Sequence, residues 1–181
     1  LDHVMGPDHN KKEFSEATTR TIAWAKRCLD SHKNKNQKVF GIVQGGTYKD
    51  LRKECALAIN DMGFDGLAIG GLAIGEEKDK MYKAIDYSLE YLDKDKIKYL
   101  MGVGSPEDLV KSIGKGVDCF DSIYPTKMAR HGVIFTRNGV LKIGKSYNTH
   151  IFKPIEKECD CYACRNHTIA YLHHLYRLDE A

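Results

Sequence analysis

The sequence predicts an α/β fold, part of a (β/α)8 TIM barrel, with a smaller metal-binding segment at its C-terminal end. Three observations carry that expectation. Short, continuously apolar runs alternate with stretches of helical periodicity at a repeat of about 20 to 32 residues, as parallel strands covered by helices require. Glycines and polar side chains gather where the apolar runs end, the rim on which barrel enzymes carry their sites. Three cysteines then fall within the six residues Cys159 to Cys164. A closed barrel takes about 250 residues. This chain has 181 residues, with four strands and the tail of another, so half a barrel is expected. A doubly wound open sheet is the alternative architecture.

The elements follow in order. Leu1-Asp2-His3-Val4 reads as the end of a strand already under way, which points to a fragment, and Gly6-Pro7-Asp8 turns the chain. Phe14, Ala17, Thr18, Ile22, Ala25 and Leu29 recur at three and four, a helix over 13–29. Val39 to Val43 is a strand ending in Gln44-Gly45-Gly46, and a helix capped by Thr47 runs to about Met62. Asp65 to Ile69 is the next strand, ending in Gly70-Gly71, followed by a helix over 78–92. Lys98 to Gly104 is the third strand. Ser105-Pro106-Glu107 then opens a helix with a cap, a first-turn proline and a first-turn acid, and glycines 114 and 116 close it. Val117 begins the fourth strand, which carries Asp121 and is cut off at Pro125. Residues 1–126 are therefore assigned to the barrel half and 127–181 to a second, basic region. That region holds a β-hairpin, Gly132–Thr136 and Val140–Ile143 about an Asn138-Gly139 turn, then the cysteines. A last helix over 168–176 follows, with no helix-ending signal after it.

Composition is ordinary for a soluble globular protein, with 42% hydrophobic and 29% charged residues. No run approaches the length of a membrane span and no signal peptide opens the chain. Net charge is +3, but residues 127–165 carry eight Lys/Arg against three acids. A basic end on a near-neutral body is a nucleic-acid footprint or a solvated surface. Cys28, Cys55 and Cys119 stand singly among apolar neighbours and read as small core residues.

Some of these residues carry chemistry by type and position. Asp121 stands at the end of an apolar run, with Lys127 and Arg130 after it. A carboxylate facing a cationic segment suits reaction on a polyanion, although an aspartate there also serves as a turn cap. Clustered Cys159, Cys161 and Cys164 suit Zn2+ in a reducing, cytoplasmic setting. The fourth ligand is open among His167, His173, His174 and a residue beyond 181. At the glycine corners, the Gln44 amide both donates and accepts. With Asp2 and a backbone N–H near Gly71 it would make a guanine-shaped reader.

Several stretches together resemble the tRNA-guanine transglycosylase (queuine tRNA-ribosyltransferase) family. They are Phe40-Gly41-Ile42-Val43-Gln44-Gly45-Gly46, Gly63 to Leu72, Tyr99 to Gly104, Phe120-Asp121 with Pro125-Thr126, and Cys159 to Asn166. The likeness runs in order over essentially the whole chain. It implies an irregular (β/α)8 barrel with a zinc-binding subdomain. It also implies exchange of the guanine at the anticodon wobble position of tRNA for a 7-deazaguanine. Asp121 matches the family's nucleophile, which attacks C1′ of the ribose and holds a covalent ribosyl–enzyme intermediate. Asp2, Gln44, Gly70, Gly71 and Leu72 match base-recognition positions, and Tyr99 and Met101 match the lining of the base pocket. Lys127 and Arg130 match tRNA contacts, and Cys159, Cys161 and Cys164 match three of four zinc ligands. The fourth, a histidine, falls past residue 181, and the second catalytic aspartate belongs to an earlier strand. A homodimer, or a heterodimer with a related subunit, is the expected assembly.

The chain departs from the pattern in places. Lys127 stands where an arginine is usual, and a lysine cannot grip a phosphate in bidentate fashion. His3-Val4 replaces the usual bacterial Glu-Cys, with Val4 closer to the eukaryotic queuine enzymes. Leu72-Ala73-Ile74-Gly75-Glu76 is closer to the bacterial ones, which use 7-aminomethyl-7-deazaguanine. Both free bases stay open as substrates. A non-catalytic tRNA-binding partner subunit of the same fold is the alternative function.

Overall fold

Four strands pair in sequence order into one parallel sheet: β1 (Phe40–Val43), β2 (Gly66–Ile69), β3 (Ile97–Leu100) and β4 (Cys119–Phe120). The structure, a computed structural model, describes residues 1–180. The chain divides into two units, Leu1–Ser122 and a second that begins at Ile123. Among the described residues, no helix is long and apolar enough to cross a membrane.

In the first unit, α1 (Lys11–Ser31), α2 (Lys49–Asp61), α3 (Lys78–Leu89) and α4 (Pro106–Ile113) alternate with the strands. α2 packs against α1, α3 and β1. One continuous core joins Val43, Leu67, Ile69 and Leu100 from the strands to Cys55, Ala56, Ile59, Met81, Ala84 and Ile85 from the helices. Strand side chains alternate between faces, so the helix-covered face takes Gly41, Val43, Leu67, Ile69 and Leu100. The opposite face carries Phe40, Ile42, Ala68, Tyr99 and Cys119. Cys119 is exposed there and Cys28 is half-buried, so of the three single cysteines expected in the core only Cys55 is buried. Gly41 is needed because a Cβ there would meet Ile59 and Phe64 at 2.5 Å.

Several expected boundaries move for local reasons. α1 begins earlier than expected because Asn10 caps it: Asn10 Oδ1 accepts from Lys12 N (2.9 Å) and Glu13 N (3.1 Å), while Glu13 Oε2 accepts from Asn10 N (2.8 Å). Thr47 is not the cap of α2. The loop turns at Gly45, whose carbonyl accepts from Tyr48 N at 3.2 Å, and Tyr48 takes the cap position without a side-chain bond. α3 ends at Leu89 rather than Leu92. β3 stops at Leu100, since Gly102 adopts φ 76° and turns the chain away. β4 is two residues long, because Val117 N is held by Ser112 O at the end of α4 (3.1 Å).

The second unit holds α5 (Tyr124–Arg130), the hairpin β5 (Val133–Thr136) and β6 (Gly139–Lys142), a 3-10 turn at Ser146–His150, α6 (Tyr162–Asn166) and α7 (Ile169–Arg177). Pro125 does not simply end a strand. It sits in the first turn of α5, where its missing N–H costs nothing. The hairpin forms as expected, but Thr136 pairs with Gly139, so Arg137 and Asn138 are the turn residues and Gly139 takes the positive φ of 112°. α7 does carry an ending signal. Asp179 turns left-handed (φ 59°), Asp179 N donates to Tyr176 O, and Glu180 N donates to Leu175 O at 3.1 Å, which is a Schellman closure.

Candidate active site and metal centre

Strand register explains how distant residues meet. Ile42, Ala68, Tyr99 and Cys119 pair in one row across the sheet, and Val43, Ile69, Leu100 and Phe120 in the next. The ladder continues one step further, with Gly70 N donating to Val43 O (3.0 Å) and Met101 N to Ile69 O (3.1 Å). The following row is therefore Gln44, Gly70, Met101 and Asp121. By alternation it lies on the face opposite the helices, at the carboxyl ends of all four strands.

Gln44 anchors one end of this row. It is 3% exposed, and its Nε2 donates to Asp2 Oδ2 at 2.6 Å. Its backbone N–H points the other way, to Cys55 Sγ at 3.3 Å, and burial pushes that thiol up to about 11. The double glycine exists to admit the amide. A Cβ on Gly71 (φ 66°) would overlap Gln44 Oε1, and one on Gly70 would lie 2.8 Å from Nε2 and 3.4 Å from Met101 Sδ. Asp2, Gln44, Gly70, Gly71 and Met101 thus converge. The Leu72 side chain is buried in the core, so what it can offer a ligand is backbone. Beyond it the loop is tied by Glu76, whose carboxylate accepts from Ala73 N (2.5 Å) and Ile74 N (3.0 Å).

Asp121 forms the other end of the row. Its Oδ1 accepts from Tyr99 OH at 2.6 Å and from Gly102 N at 2.9 Å. The Tyr99 bond, then the Gly102 bond, hold its carboxyl below the usual carboxylate range. The same bond, followed by desolvation, pushes the Tyr99 phenol up to about 12. The Tyr99 ring stands edge-on to Phe40, with centroids 6.3 Å apart. Asp121 itself is exposed, and Oδ2 carries neither of these bonds. The result is an oriented carboxylate on an exposed residue, held toward its charged form, with one oxygen fixed by the fold.

Two buried charged side chains support the rim. Arg52 is 0% exposed. It donates from Nε to Gly46 O (2.7 Å), from one terminal nitrogen to Val43 O (3.1 Å) and from the other to Gly70 O (2.9 Å). Desolvation lowers its guanidinium to about 10. Its one signal in the sequence is position, since helical spacing puts Arg52 on the buried stripe of α2 with Cys55 and Ile59. Asp108, at the start of α4, accepts from Lys78 Nζ, Tyr82 OH (2.6 Å) and Ser105 Oγ (2.6 Å). Burial opposes its charge, but those bonds outweigh burial and keep its carboxyl below the usual range.

In the second unit, Lys127 and Arg130 lie exposed in the last turn of α5. The Sγ atoms of Cys159, Cys161 and Cys164 lie within 4.8 Å of one another, and they are the one metal-capable group of this kind among the described residues. Three thiols suit zinc. A shared ion at about 2.3 Å from each sulfur needs sulfurs about 3.8 Å apart, so the loop closes on an ion with a shift of about an ångström at most. The Cys164 N–H, ahead of the neighbouring thiols, lowers the Cys161 thiol, whereas burial raises Cys164. The three candidate histidines do not complete the set. His173 is buried against Ile143 O (2.7 Å), His167 stacks on Tyr171 at 4.9 Å, and His174 stands outside the group.

All of residues 1–181 match the family model described as Queuine tRNA-ribosyltransferase. A Thermotoga maritima protein named queuine tRNA-ribosyltransferase is 48% identical over 176 residues, covering 97% of this chain and 48% of the relative. Proteins of the same name from Caldanaerobacter subterraneus subsp. tengcongensis and Pelotomaculum thermopropionicum are also similar. The first is 53% identical over 161 residues (88% of this chain, 43% of the relative), and the second is 48% identical over 164 residues (91% and 44%). The chain spans about half the length of the curated relatives it matches.

Proposed function

The chain belongs to the queuine tRNA-ribosyltransferase family, and from that premise we propose that the full-length protein exchanges guanine at the tRNA anticodon wobble position for a 7-deazaguanine. Asp121 is the nucleophile. One carboxylate oxygen attacks ribose C1′ and the bond from C1′ to the guanine nitrogen breaks. Guanine leaves with the electron pair and takes up a proton. The incoming base then attacks C1′ and gives up a proton, and Asp121 departs as a carboxylate. Two displacements at one carbon retain configuration overall, and splitting one hard substitution into two is what a carboxylate nucleophile offers.

The observation that carries this reading is the binding of Asp121 Oδ1 by Tyr99 OH and Gly102 N–H. It aims the carboxylate and favours its charged form. Asp2 and Gln44 present a carboxylate and an amide side by side, a combination that suits the adjacent N–H donors and carbonyl of guanine, with Gly70, Gly71, Leu72, Tyr99 and Met101 shaping the flat pocket. Lys127 and Arg130 contact the phosphates of the anticodon loop. Cys159, Cys161 and Cys164 supply three ligands to a structural Zn2+, which fixes the loop that bears them. The four-stranded parallel sheet is read as half of a (β/α)8 barrel in a cytoplasmic enzyme that works as a homodimer or with a related subunit.

The test is Asp121→Asn in the full-length protein, incubated with tRNA and labelled guanine. Label incorporation should fall by at least about a thousandfold, the scale seen when a catalytic nucleophile is removed. Incorporation at the wild-type rate would instead favour a partner subunit that binds tRNA without chemistry.

A further inference from the structure

We propose that Arg52 is a positioning residue that presets the base pocket by fixing the peptide planes on both sides of it. The proposal rests on the functional reading above for the identity of the ligand, a guanine-type base.

Arg52 lies in the first turn of α2, wholly buried, and its guanidinium donates to three backbone carbonyls. A buried cation is costly, and here backbone oxygen does most of the compensating, with the charge of Glu76 adding to it. The three carbonyls it binds are a particular set. Val43 O and Gly46 O flank Gln44 on the first loop, and Gly70 O belongs to the second. One rigid guanidinium therefore spans two strand-end loops and holds them in register, which the single ammonium of a lysine cannot do.

The Gly70 bond has a directional consequence. In a trans peptide the C=O and the next N–H point in opposite directions. With Gly70 O drawn onto Arg52, the Gly71 N–H must face away from the guanidinium. A Gly-Gly peptide has no side chains to resist rotation of that plane, and Gly71 already sits at φ 66°. Without Arg52, the plane is free to turn its carbonyl toward the ligand and replace a donor with an acceptor. Arg52 is wholly buried behind the two loops and acts through their carbonyls, so its contribution is to base binding and not to the bond-breaking step.

The experiment compares wild type with Arg52→Lys and Arg52→Met in the full-length protein. Free-guanine binding is measured by calorimetry, and label exchange into tRNA is measured separately. Guanine affinity and KM for the base should weaken on the order of ten- to a hundredfold, with kcat and tRNA affinity within about threefold, and Arg52→Lys should recover little. Added guanidinium ion should restore binding in Arg52→Ala, which leaves a cavity of its shape. A folded Arg52→Met that binds guanine as wild type does overturns the proposal. So does a wild type whose Gly71 amide gains no hydrogen-exchange protection on guanine addition, a measurement that stands even where the variants do not fold. Wild-type protein that binds guanine in this way but incorporates none into tRNA would refute the transferase reading and leave the role of Arg52 intact.

Discussion

The Tyr99 hydroxyl and the Gly102 amide donate to the same oxygen of Asp121, and the first of these bonds does most to depress the carboxyl. Replacing Tyr99 by Phe removes that bond and raises the Asp121 pKa toward the ordinary value of about 3.9. In the proposed mechanism Asp121 attacks as a carboxylate, so activity falls as pH drops through its pKa. The acid limb of the kcat/KM profile should therefore move to higher pH in Tyr99→Phe, with activity above neutrality reduced only several-fold. A limb that stays in place or moves to lower pH would contradict the assignment of this bond. At this scale the sequence was partly legible. Asp121 and Gln44 stand out because polar residues end apolar runs there. Arg52 does not, because a cation on a helical stripe looks solvated until three carbonyls are seen to meet it.

The strands were legible as apolar runs, but their lengths were not. β3 and β4 are shorter than their hydrophobic stretches, because a left-handed Gly102 and a tether from Val117 to α4 decide the ends. Helix α5 was hidden because a proline in a first turn looks the same in sequence as a proline that ends a strand. The cysteine loop shows the opposite balance. Its candidate ligands are plain from spacing, and the structure adds that α6 starts immediately after Cys161 and that three thiols already converge. Metal analysis of the full-length protein should give one zinc per chain, lost in Cys161→Ala. Chelation should lower the melting temperature, more readily at mildly acidic pH, where protons compete for the thiolates. A wild-type protein free of zinc would refute the structural-metal assignment.

At the scale of the molecule, the register of a parallel sheet does what no local motif can. It sets Gln44, Gly70, Met101 and Asp121 in one row, although they come from four separate strand ends. Sequence spacing predicts such a row only in outline, since a slip of one residue in any one strand would take its member out of the row and turn that strand's side chains to the other face. The helices α2 and α3, packed in sequence, hold the register, and Arg52 ties its first two corners.

The central claim is that Asp121 becomes covalently bound to ribose. The full-length protein incubated with substrate tRNA without incoming base, quenched in denaturant and digested, should yield a ribosylated or tRNA-linked peptide containing Asp121, absent from Asp121→Asn. An adduct that persists in Asp121→Asn, or none in wild-type protein active in exchange, would contradict the account.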